Sequence, residues 1–69
     1  MGEQLHVERI GRTPATVIEL VHSPDDDGYY LTNTDFLKRR GRVSAKIYPT
    51  DVAARSDWER GTVEWEPWS

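Results

Sequence analysis

A chain of 69 residues and 8.0 kDa has room for one domain. It contains no cysteine, which excludes disulfide staples and Cys-ligated zinc or iron–sulfur centres. No apolar run approaches the roughly 18 residues of a membrane span and no signal-peptide core opens the chain, so a soluble, cytoplasmic protein is expected.

The net charge of −3 is unevenly spread. Residues 36–48 carry Lys38, Arg39, Arg40, Arg42 and Lys46 and no acid, while the remainder sets twelve acids against four arginines. Leu, Ile, Val and Phe together number fourteen, so the three Trp and three Tyr must supply much of the buried surface. A domain of about 60 residues buries only ~60% of the surface its unfolded chain exposes, which leaves it marginal unless a partner or a second copy adds burial.

Leu5 and Val7 alternate with polar neighbours and predict a short strand over about 4–10, followed by a turn at Gly11–Pro14. The β-branched run Thr16, Val17, Ile18 and Val21 predicts a second, central strand over Ala15–His22. Asp25-Asp26-Asp27-Gly28 is a strong turn signal, and Tyr29–Thr32 follows as a third strand. Thr34 and Asp35 then read as the start of a two-turn helix, stopped at Gly41. Arg42–Tyr48 alternates as a strand with Val43, Ala45 and Ile47 inward. Pro49 ends it, and Thr50-Asp51 caps a second helix that runs to about Arg60 and closes at Gly61. Its buried side is expected to hold Val52, Ala54 or Arg55, and Trp58. Thr62–Glu66 is expected as the last strand, with Val63 and Trp65 inward and Phe36 and Trp58 closing the core.

The fold class is therefore α+β: an antiparallel meander of three strands, then helix, strand, helix, strand. That order fits two architectures, an open sheet with both helices on one face or a minimal five-stranded oligonucleotide-binding barrel.

Chemistry-bearing motifs are sparse. His6 and His22 have no Cys to join them, and pairing around the 11–14 turn is expected to keep them apart, so neither is assigned to a metal. The Asp25–Asp27 turn lacks the first ligand and the bidentate Glu of a calcium loop. No serine sits in a nucleophile motif, and no glycine-rich phosphate loop is present. Glu64 and Glu66 share one strand face, where they serve as edge protection or as paired carboxylates. No catalytic residue, metal or cofactor is assigned.

Two function classes follow. The first is a non-enzymatic interaction protein that docks on a larger protein or protein–nucleic-acid assembly. It would use acidic residues (Asp25, Asp26, Asp27, Glu64 and Glu66) and the penultimate Trp68. Small size, an acidic body and no cofactor motif are shared by many inhibitors encoded by phages and mobile elements, anti-CRISPR proteins among them; this is a profile, not a motif. The second is a small nucleic-acid-binding barrel in which Lys38, Arg39, Arg40, Arg42 and Lys46 track phosphates beside Tyr48. The acidic balance, with a pI near 5.2, favours the first. An enzyme built on Glu64 and Glu66 is a third, weaker class.

Overall fold

The computed structural model describes residues 6–23 and 28–68. The alternating segments form strands β1 (His6–Arg12), β2 (Thr16–Ser23) and β3 (Gly28–Asp35), each antiparallel to the next. The strand β4 (Arg40–Ser44) pairs with β3, and the three-residue β5 (Trp65–Pro67) pairs with β4. Strand order is that of the chain, β1 to β5, so the sheet is open with β1 and β5 at its edges. Between β4 and β5 runs one helix, α1 (Asp51–Glu59), which packs on β2 and β3. The class is α+β; of the two expected architectures the open sheet is the one formed, and among the described residues it carries one helix in place of two.

The helix at 50–61 forms as its caps require. The Thr50 side chain accepts from the Ala53 amide, Asp51 lies in the first turn, and Gly61 follows with φ +70°. Its inward side holds Ala54, with Trp58 packed against the core, as expected; it departs from expectation in burying Asp57 and exposing Val52.

The expected helix after Thr34 is replaced by a hairpin. Thr34 continues β3 and pairs with Gly41, so Gly41 is a strand residue and not a helix stop. The Asp35 carboxylate accepts from the Leu37 and Lys38 amides, closing a tight turn, and Arg39 takes the left-handed φ of 53°. Phe36, placed in that turn, is 59% exposed and does not close the core.

The strand expected over 42–48 ends early, at Ser44. Its hydroxyl accepts from the Leu31 amide and donates to the Lys46 carbonyl, which bends the chain off the ladder. The expected inward row is not the core row: Val43 pairs with Thr32 on the face away from the helix, and Ala45 and Ile47 are exposed, Ile47 by 50%. Tyr48 rejoins the sheet through an isolated bridge to Tyr29.

Register sorts the side chains onto two faces. Leu20, Leu31, Ser44 and Trp65 lie in one row beneath the helix. Leu20, Leu31, Tyr48 and Ala54 form the core there, with Trp58, Val63, Trp65 and Ile10 packed around them. Ile10 is the extra residue of an irregularity in β1, between Arg9 and Gly11. A Cβ on Gly11 would fall 2.5 Å from Trp58 Cζ2, so the indole lies directly on the Gly11 backbone.

Among the described residues, no helix lies on the opposite face. It presents the rows Val7–Val21–Tyr30, Glu19–Thr32–Val43–Glu66 and Val17–Thr34–Gly41. Val17, Val21 and Thr32 are buried in its middle. Among the described residues, no helix is long and apolar enough to cross a membrane.

Candidate functional site

The β3–β4 hairpin and β5 together gather the basic stretch and the last tryptophan. Pairing of Arg42 with Pro67 sets the chain end beside β4, and the Trp68 amide donates to the Gly41 carbonyl at 3.0 Å. Trp68 Cβ lies 3.6 Å and its ring Cε3 3.9 Å from where a Gly41 Cβ would stand, so the indole rests over that glycine. The ring is left 56% exposed.

Two surfaces meet at this indole. On one side Arg39, Arg40, Arg42 and Pro67 complete a shallow hollow around it. Just beyond lies a second hollow lined by Thr16, Asn33, Asp35, Lys38, Arg40 and Arg42. Ion pairs among the described residues join Arg55 to Glu8 and Asp51, and Arg60 to Asp57. Lys38, Arg39, Arg40 and Arg42 make none. Asp35 is the carboxylate among them, and its Oδ1 is taken up by the turn amides.

On the other side, Trp68 lines a shallow apolar depression with Tyr30, Val43 and Ile47 on the helix-free face. Glu66 stands opposite Val43 on that face, and Glu64, also exposed, precedes Trp65 at the edge. The acidic residues Asp25, Asp26 and Asp27 lie outside the described residues.

Tyr48 is not a surface platform. It is buried at 4% exposure, and its hydroxyl donates to Asp57 Oδ2 at 2.5 Å. Burial first, and then the Asp57 carboxylate, push its phenol well above the ordinary range. Lys46 keeps its Nζ 5.2 Å from the Tyr48 ring centre, separate from the arginine hollow. The aromatic group that accompanies the arginines is thus Trp68.

The histidines also stand differently from expectation: His6 pairs directly with His22, because the β1–β2 turn is centred near Pro14. The His22 ring stacks on Tyr29 with centroids 4.5 Å apart, and Glu8 and Asp51 line the same hollow. Among the described residues, no group of three metal-capable side chains forms.

Of the sequence-predicted residues, Arg39, Arg40, Arg42 and Trp68 come together; Lys38 flanks them, and Lys46 and Tyr48 do not join them. Tyr30 and Ile47 enter the apolar depression without having been singled out for it. For Ile47 the signal was available in Ser44, whose hydroxyl competes for backbone partners and ends the strand.

Comparison with protein-family models, with curated proteins and with solved structures finds no match for this chain.

Proposed function

We propose that this chain is a non-enzymatic interaction protein that docks on a larger protein, free or within a protein–nucleic-acid assembly, through the helix-free face of its sheet. The observation that carries this reading is the exposed depression formed by Trp68, Tyr30, Val43 and Ile47, with Glu66 on the same face and Glu64 beside it. Tryptophan and tyrosine are the side chains most enriched where interface energy concentrates, and half-exposed apolar groups gain most when a partner covers them. The carboxylates select a partner with a basic rim, which is the surface that ordinarily meets phosphate. An inhibitor that imitates a polyanion, as the size and charge profile suggests, would use these groups in this way.

The test is capture of partners from the native host, identification of the captured protein, and titration of that protein with variants. Trp68→Ala is expected to weaken binding at least tenfold, and Glu64→Gln with Glu66→Gln to weaken it and reduce its salt dependence. Replacing Arg39, Arg40 and Arg42 by alanine is expected to leave it within about twofold. Unchanged affinity in Trp68→Ala would overturn the reading. So would a stable homodimer that dissociates in that variant, since the face would then belong to a second copy.

A further inference from the structure

We infer that the β3–β4 hairpin is a binding site for single-stranded nucleic acid, with Arg39, Arg40 and Arg42 holding consecutive phosphates and Trp68 stacking an unpaired base. The site shares Trp68 with the protein-docking face, its arginines lie outside that face, and the inference does not rest on the docking reading.

Charge is the first support. Four cations, Lys38, Arg39, Arg40 and Arg42, fall within five residues of one hairpin and make no ion pair among the described residues. Among the described residues Arg55 and Arg60 pair with carboxylates, while the hairpin cations, like Arg9, Arg12 and Lys46, do not; the hairpin differs in holding four of them within five residues. Three guanidinium groups left together repel one another, a cost that a bound polyanion removes.

Spacing is the second support. Arg40 and Arg42 alternate about Gly41 on β4, so their Cα atoms stand about 6.7 Å apart along the strand. That is the scale of one nucleotide step, and guanidinium groups grip phosphate oxygens in pairs. Arg39, at the turn and in the left-handed region, extends the row past the end of the ladder.

Trp68 supplies what a phosphate site alone would not. Its indole lies over the bare backbone of Gly41, next to the arginine hollow and 56% exposed. A platform of this kind takes the face of any base that is free to leave its stack, which a single strand offers and a duplex does not.

The experiment is a fluorescence-anisotropy titration of labelled dT12 with the full chain, repeated between 50 and 200 mM NaCl. A 12-base-pair duplex and an oligoglutamate of equal charge serve as competitors. Three to four phosphate contacts on a single strand imply a log–log salt slope of about −2 to −3, roughly a 20- to 50-fold loss across that range. The Arg39→Ala, Arg40→Ala, Arg42→Ala triple variant is expected to lose binding at least tenfold, and the corresponding lysine triple variant to retain most of it. Trp68→Ala should weaken dT12 binding at least fivefold with the salt slope unchanged, the signature of stacking. Glu64→Gln with Glu66→Gln should leave dT12 binding intact or tighter, which separates this site from the docking face whatever the fate of that reading. Far-UV circular dichroism confirms that each variant is folded. The proposal is overturned by the absence of saturable dT12 binding at 50 mM NaCl, by equal binding in the alanine triple variant, or by oligoglutamate or duplex competing as well as dT12.

Discussion

Asp57 is the residue on which the two ends of the α-helical segment close. It is 6% exposed, accepts from the Tyr48 hydroxyl and from Thr62 Oγ1, and faces Arg60 at 3.9 Å. Thr62 also donates its amide to the Asp57 carbonyl, so one residue ties the segment before α1 to the segment after it. The Thr62 bond first, and then the Tyr48 bond, hold the Asp57 carboxyl below its ordinary range. Asp57 thus favours folding fully above the unfolded carboxylate pKa of about 3.9, and that contribution is lost as pH falls through its lower folded value. Tyr48 has the opposite sign: its raised pKa favours folding below the ordinary phenol value of about 10, a contribution lost as pH rises toward the folded value. Thermal melts from pH 7 down to pH 2 should therefore show a Tm that drops in the acid limb, and Asp57→Asn should flatten that limb while melting lower at pH 7. A variant with the parent's full acid dependence would place the titrating group elsewhere.

The element whose form departs most from its local signals is the β3–β4 hairpin, and a backbone substitution checks its geometry. Arg39 has φ 53°, a conformation that costs a side-chain-bearing residue about 1–2 kcal/mol and glycine almost none. Arg39→Gly is expected to stabilise the fold by about 0.5–1 kcal/mol in urea unfolding, after the greater chain entropy glycine loses; destabilisation would mean that the turn is not of this type. The reason this segment reads as a helix is physical. A Thr-Asp pair followed by a glycine satisfies the first amides of a helix or those of a tight turn equally well, and only the ladder between Thr34 and Gly41 decides. Where a signal is local and unshared, the outcome follows it: the Thr50 cap and Gly61 bound α1, and the β-branched run 16–21 forms β2, an interior strand. Burial of Tyr48 against Asp57 and the direct pairing of His6 with His22 depend on register and on long-range packing, which no short window contains. The candidate site divides in the same way. Its arginines stand out as a run of charge, whereas the place of Trp68 beside them follows from Arg42 pairing with Pro67, twenty-five residues away.

At the scale of the whole molecule, a five-stranded sheet is held by the nine-residue helix α1 and a core in which, among the described residues, Leu31 is the one large side chain fully withdrawn from water. Leu31 sits between Leu20 on β2 and Ser44 on β4, at the centre of the covered face, and its amide donates to the Ser44 hydroxyl. A domain of this length has a total stability of roughly 3–10 kcal/mol, at ~0.05–0.15 kcal/mol per residue. Truncating a fully buried leucine costs about 2–5 kcal/mol, through lost transfer energy and the cavity left behind. Leu31→Ala is therefore expected to consume a large share of the total, leaving a substantial unfolded population near 37 °C and a sharply lower urea midpoint. Ile47 gives the contrast that makes the test specific to this fold. The sequence pattern sets it inward with Val43 and Ala45, where truncation would cost as much as that of Leu31; in the fold Val43 lies on the helix-free face and Ile47 is 50% exposed. Ile47→Ala is expected to cost less than about 1 kcal/mol, in keeping with a surface position. Because Ile47 lines the Trp68 depression, the same variant should weaken the captured partner while the urea midpoint barely moves. A large loss of stability in Ile47→Ala would return that side chain to the core and remove it from the docking face.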